Sequence, residues 1–343
     1  MPRKITTDLI DGVKEMVHHL ATVHARSLAH LRYCDLRIEV AEGKAAAAEN
    51  GASKFSGEDY GFSFGIRVLA GERMVGPGYF GQSLGAADLD SLEKILKDGI
   101  EKAYRRAMAN GELKATVREK FGSLGDSLAD TRLHPIQVRQ EVVAAEYEVD
   151  PRSVSLAEMV RYTTDVSRQV GGVHDHVKYN FISTMTQLSR ELFASSEGAL
   201  IDQAFALTQG MCYVVAVLNE TSQELYDVLG HQRGWEILER GVTEPFMTFP
   251  PFVRFSLDLT REAVELAAAP PLPSTEGEVV VVTDPHYNTL VSHEIIGHPV
   301  ELDRVLKMET AYAGRSWLLR SLDDHQVGKQ VASPLVTAYS DPA

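Results

Sequence analysis

Residues 33–40 read YCDLRIEV, and within them Cys34, Leu36, Ile38 and Val40 alternate with Asp35, Arg37 and Glu39. Successive side chains of a strand point to opposite faces, so this period of two predicts a strand with one face buried. Asn50-Gly51 follows, a pair that tolerates the positive φ angles of a two-residue hairpin turn. Past it, Tyr60, Phe62, Phe64, Ile66 and Val68 alternate with Gly61, Ser63, Gly65 and Arg67, and LAGER at 69–73 supplies the next turn. Upstream, Leu9, Ile10, Val13, Met16, Val17 and Leu20 share one helical face, which predicts a helix from Thr7 to about Leu31 capped by Thr7 or Asp8. Downstream, helical spacing returns from Leu89 to Met108. Helix, antiparallel strands, helix is an α+β order, with antiparallel sheets and helices packed on one face of a two-layer N-terminal part.

A second unit follows in the same order. Ser155 and Glu158 form a capping-box signature for a helix to about Val170. The strand-like runs VKYNFISTMTQLSREL (177–192) and GALIDQAFALTQGMCYVVAVLN (198–219) flank FASSEGA, which predicts a long hairpin. GHQRGWEIL (230–238) reads as a turn before a helix, because Gly230 and Gly234 lack the strand-loop-helix glycine fingerprint of a phosphate cradle. Proline clusters at 245–251 and 270–273 mark boundaries, with one short helix between them over TREAVELAAA and Thr260 as its cap. EVVVVTDP (278–285) is apolar without alternation and predicts a fully buried strand. Asp284 then caps a helix that has Pro285 at its first position, where a missing N–H costs nothing.

The 343 residues carry a net charge of −14 and no dense basic run; EKAYRRAMAN (101–110) mixes signs on a solvated helix face. Phosphate backbones and anionic lipid would be repelled, so neither nucleic acid nor a membrane is an expected partner. No window approaches about 18 uninterrupted apolar residues. Cys34 and Cys212 lie in apolar runs far apart in the chain, as buried thiols in a reducing compartment would, and a cytoplasmic location is expected. His18, His19, His24 and His30 read as surface residues, and His174-Asp175-His176 as an exposed edge pair.

The chemistry sits in VSHEIIGHPVELD (291–303). Histidines four apart share a helix face and can converge on a zinc ion at about 2.0–2.1 Å. His293 and His298 are five apart and diverge by about 140° on a regular helix. Gly297 and Pro299 offer a remedy, a helix that ends or bulges between Ile296 and His298: Gly permits a left-handed or widened turn, and Pro299 pushes His298 away from helical dihedrals. A π-type bulge is the other route. Either would bring His298 over His293 and leave Glu294 as general base for a metal-bound water. The competing reading is a helix terminus with two incidental histidines.

HEIIGHPVELDRVLKMETAYAGRSWL (293–318) resembles the His-Glu-x-x-x-His segment of the TldD/PmbA family of metallopeptidases, also called modulators of DNA gyrase. YCDLRIEVAEGKAAAAENG with GEDYGFSFGIRVLAGE is similar to that family's N-terminal hairpins, and SQELYDVLGHQRGWEIL to its middle region. The resemblance implies zinc held by His293 and His298, catalysis by Glu294 and a supporting position for Glu301. It implies small or unfolded peptides as substrates, and a homodimer or a heterodimer with a family member. It also implies a domain order of 1–125 (N-terminal α/β), 126–241 (middle α/β with the long hairpin) and 242–343, a partial β-rich C-terminal domain carrying the metal helix. In the family a cysteine beyond this helix is the third ligand, and neither Cys34 nor Cys212 matches it. The expectation is therefore a C-terminally truncated chain, without the third zinc ligand and inactive as it stands, with Asp303, Asp324 or His325 as the candidate substitute ligands. The alternative implied is a non-catalytic, PmbA-like scaffold subunit paired with an active partner.

Overall fold

In a computed structural model the protein divides into two compact units, 1–270 and 271–343. The structure describes residues 5–122, 137–245, 247–274, 276–307, 310–312, 314–318 and 326–339. The first unit contains strands β1 (Leu31–Glu49), β2 (Ala52–Ala70), β3 (Gly76–Ser83), β4 (Gln140–Val143), β5 (Val177–Ser195), β6 (Leu200–Leu218), β7 (Thr221–His231), β8 (Val242–Glu244) and β9 (Met247–Phe249). Its helices are α1 (Leu9–His19), α2 (Leu92–Phe121), α3 (Leu156–Gly171), α4 (Glu236–Arg240) and α5 (Phe252–Ala268).

The alternating stretch at 33–40 lies in β1, at the centre of a seven-stranded sheet ordered β3-β2-β1-β5-β6-β4, with β7 also on β6. The α+β class and the helices on one face are as expected. The first two spans, however, do not form separate sheets. β1 pairs antiparallel with β5 from Asp35↔Ser195 to Glu49↔Phe181, so one sheet runs through both. The sheet is also not wholly antiparallel, because β4 runs parallel to Leu200–Gln203 of β6. Strand order is set by contacts between distant segments, to which local alternation is blind.

Both predicted hairpins form. Asn50 and Gly51 take φ of 48° and 77°, the two positive values the tight turn requires. Every buried residue that β1, β2, β5 and β6 contribute to the two core clusters is even-numbered, so a single sheet face carries both. Leu36, Ile38, Phe64 and Ile66 pack with α1 and α2 in one cluster. Ile182, Val214 and Ala216 pack with α3 and α5 in the other. β3 lies close on α2, where a Cβ on Gly78 would sit 2.0 Å from the Ala103 carbonyl oxygen.

Between α1 and the sheet lies a buried ion cluster. Asp202, 2% exposed, accepts from Arg190 Nε and Nη2 at 2.7 Å each and from Lys14 Nζ at 3.1 Å. Arg190 Nη2 also reaches Asp11 Oδ1 at 2.6 Å.

Several local expectations are corrected. Asp8 occupies the cap position of α1 but makes no side-chain cap bond, and Thr7 instead donates its N–H and hydroxyl to Glu42 Oε1. The second helix runs beyond Met108 to Phe121, past a polar stretch whose inner face is made of Gly111 and Ala115, too small to register as a periodic apolar pattern. Thr260 is no cap: α5 begins at Phe252 directly after Pro250-Pro251, and Thr260 is buried mid-helix, donating to the Ser256 carbonyl at 2.6 Å. The capping box at Ser155 and Glu158 forms as read.

Within 271–343 the described residues hold no strand. Val280 and Val282 are 94% and 92% exposed, so EVVVVTDP is not the buried strand its composition predicts. A strand needs hydrogen-bonding neighbours as well as apolar side chains, and no described segment pairs with this one. Asp284 does cap helix α6 (Pro285–Ser292), accepting from Tyr287 N at 2.7 Å.

Cys34 and Cys212 are fully buried and unpaired, as read from the sequence. Burial pushes both thiols up to about 12. The thiolate is the reactive form, so both should resist a thiol reagent at pH 8 in the native protein and react only on unfolding. Titration of free thiol with and without denaturant checks this; rapid native labelling would contradict the burial.

Candidate metal centre

After α6 the helix widens into a π turn over His293–Gly297, and His298–Val300 continues it. The N–H of His298 donates to the His293 carbonyl, five residues back. That one extra residue per turn cancels the divergence of a five-residue spacing. The two imidazoles meet edge to face, with Nε2 of His293 2.6 Å from Nε2 of His298.

The bulge route is thus taken, by other means than the residues suggested. Gly297 keeps right-handed angles, φ −55° and ψ −65°, and a Cβ there would meet nothing nearer than the Ser292 carbonyl at 3.9 Å. His298 also stays helical, φ −59° and ψ −41°, despite Pro299. A proline ring clashes with the carbonyl four residues back in a regular helix; the wider turn displaces that carbonyl.

Glu301 Oε1 lies 2.7 Å from His298 Nδ1, and Arg304 Nε contacts its other oxygen. The His298 hydrogen bond, followed by Arg304, holds the Glu301 carboxyl below its ordinary range. An ionised carboxylate can only accept, so His298 carries its proton on Nδ1 and turns the Nε2 lone pair toward His293. Glu294 Oε1 is 3.8 Å from His293 Nε2, and one donor atom from each of His293, Glu294 and His298 lies within 4.8 Å of the others. Tetrahedral ligands at about 2.0–2.1 Å are roughly 3.3 Å apart, so the rings need part by less than about 1 Å to admit an ion. Two converging imidazoles beside a carboxylate form a group that could hold a metal ion, with His293 and His298 as its nitrogen ligands.

The site is open: His293 is 57% exposed and Glu294 60%, against 27% for His298. Of the suggested substitute ligands, Asp303 has its Oδ1 on the Arg304 N–H, while Asp324 and His325 lie outside the described residues. The sequence reading missed Arg304 and Ser316. Ser316 is buried and donates its hydroxyl to the Pro299 carbonyl, and its N–H goes to the Arg304 carbonyl at 3.3 Å. Arg304 could have been read from its place three residues after Glu301, one helical turn; Ser316 carries no local signal.

Among the described residues, the other histidines join no such cluster. His174 and His176 are ring neighbours at 4.4 Å in an exposed turn. His18 and His24 are half-buried, each with a buried Nε2, and so are not the surface residues expected.

No family model matches the chain. It is similar to a protein described as a metalloprotease from Methanothermobacter thermautotrophicus, 30% identical over 170 residues, which are 49% of this chain and 32% of that protein. A metalloprotease from Methanocaldococcus jannaschii is 21% identical over 315 residues, covering 90% of this chain and 58% of its own length. Both relatives carry the description of a metalloprotease. The chain spans between a third and three fifths of the curated relatives it matches. Among solved structures, TldE from Thermococcus kodakarensis overlaps 71% of this chain and 46% of its own at 10% identity, with a TM-score of 0.47. No helix among the described residues is long and apolar enough to cross a membrane.

Proposed function

We propose that the chain is the metal-bearing part of a zinc-dependent peptidase that cleaves small or unfolded peptides and acts as a homodimer or beside a family member. The observation that carries this reading is the convergence of His293 Nε2 and His298 Nε2, at 2.6 Å, beside Glu294. His293 and His298 would hold the ion, which would supply Lewis-acid polarisation of the scissile carbonyl. Glu294 takes a proton from the attacking water and passes it to the leaving amine. Glu301, braced by Arg304, keeps His298 in the tautomer whose Nε2 lone pair faces the site. The exposure of the pair suits an extended, unfolded substrate, since nothing described closes over it.

Zinc titration by calorimetry tests this on the protein together with whatever completes it and supplies the third ligand, since the chain spans 58% of the Methanocaldococcus relative. One ion per chain is expected, lost in His298→Ala and weakened about 10- to 100-fold in Glu301→Gln. A chain that takes up no zinc, or takes it up equally well without His298, would end the reading and leave the non-catalytic, PmbA-like scaffold in its place.

A further inference from the structure

The two core clusters share one face of the sheet, but they do not meet along β1. Val40 belongs to the first and Ala46 to the second, and the positions between them on the same face are Glu42 and Lys44. On β2, Tyr60 and Glu58 stand opposite Glu42 and Lys44, and on β5 Thr186 stands opposite Lys44. The start of α1 closes one side of this polar belt, where Thr7 donates to Glu42. The loop before α3 closes the other with Pro151 and Arg152, and the slot between them measures about 200 Å³. A cavity of about 150 Å³ holds benzene, so a small organic molecule fits.

Opposite charges line the slot without pairing. Lys44 faces Glu58 across the strands and Glu42 lies two residues along, yet Lys44 Nζ donates to the backbone carbonyls of Arg152 at 2.9 Å and Val154 at 2.6 Å. An ammonium has three N–H donors, and no described residue takes the third. Glu42 accepts from Thr7 through Oε1, and Glu58 accepts the Tyr60 hydroxyl through Oε2 at 2.6 Å. Glu42 Oε2 and Glu58 Oε1 take no donor from a described residue. Arg152 is committed to Asp150, on which its Nε and Nη2 are held.

We propose that this slot binds a free α-amino acid with an uncharged side chain, its ammonium on Glu42 and Glu58 and its carboxylate on Lys44. Charge selects a zwitterion, because a ligand of one sign would satisfy one half of the lining and be repelled by the other. Spacing selects a short one. Residues two apart on one strand face start about 6.7 Å apart, so an amine on Glu42 and a carboxylate on Lys44 sit close together, as on a single α-carbon. The rest of the slot suits an uncharged side chain: Thr186, 1% exposed, forms the floor with its hydroxyl on Thr208 at 2.7 Å, and the Tyr60 ring and Pro151 stand beside it. Amino acids are among the products a peptidase can release, but the inference does not depend on the metal reading.

Saturation-transfer NMR of the full chain with a mixture of the proteinogenic L-amino acids should single out one or a few with uncharged side chains. The N-acetyl and amide forms of the best binder, each lacking one charge, should bind at least about tenfold more weakly, the effect of losing a charge-assisted hydrogen bond. Glycylglycine, whose charged ends stand farther apart, should also bind more weakly. Glu42→Gln and Lys44→Met should each weaken the best binder by about the same factor, whereas Asp258→Asn, in an exposed ion pair of α5, should leave it unchanged. Should Lys44→Met disturb the loop before α3, the blocked ligands on the wild-type chain still decide. No amino acid bound, equal binding of the blocked forms, or glycylglycine bound as tightly as the best amino acid would overturn the proposal.

Discussion

Glu294→Gln is expected to lower peptide hydrolysis about 10²- to 10⁴-fold while zinc uptake stays within a few-fold of wild type. The amide keeps the size and the hydrogen-bonding reach of the carboxyl but cannot take a proton at neutral pH. Glu294 extends into solvent, 60% exposed, so its loss should not disturb the fold. The pairing of two readouts matters here. Lost hydrolysis with retained zinc assigns Glu294 to proton transfer; lost zinc as well would make it a ligand, and unchanged hydrolysis would remove it from the chemistry. The measurement needs whatever completes the protein, since the chain spans 58% of the Methanocaldococcus relative that matches most of it.

The largest stability effect is expected at Asp202→Ala. Asp202 is buried on β6, and its removal leaves Arg190 and Lys14 facing each other without the anion that both bind. Breaking a buried ion cluster from one side typically costs about 3–5 kcal/mol, or on the order of 10 °C in melting temperature for a unit of this size. The Arg190 hydrogen bonds hold the Asp202 carboxyl below its ordinary range. A depressed pKa stabilises the fold above the unfolded value of about 3.9 and ceases to do so as the pH falls through the folded value. The gap between wild type and variant in urea midpoint should therefore be full at pH 6 and shrink below about pH 4. A gap that is small at pH 6, or constant into acid, would show that Asp202 contributes little.

Much of this architecture was legible locally. The alternation at 33–40 and 60–68, the Asn50-Gly51 turn, the capping box at Ser155 and the cap at Asp284 are decided by neighbours within a few residues, and all appear where they were read. The five-residue spacing of His293 and His298 placed a widened turn among the routes by which the pair could meet, because on a regular helix it could not. The reading failed where a local pattern needed a distant answer. EVVVVTDP has a strand's composition without a described partner strand, and Thr260 looked like a cap because the aromatic residues before it concealed the first turns of α5.

The sequence by itself therefore determined the four long strands β1, β2, β5 and β6, the hairpin turns, most helix starts and the residue types of the candidate metal site, since periodicity, backbone freedom and capping act over one or two turns of chain. Tertiary structure alone decided that β1 and β5 fuse two spans into one sheet, that the histidine pair closes through a π turn with Gly297 right-handed, and that Arg304 and Ser316 brace it. It also decided which sheet face the described helices of the first unit cover. Those outcomes depend on contacts between segments far apart in the chain, whose energies no short window of sequence contains.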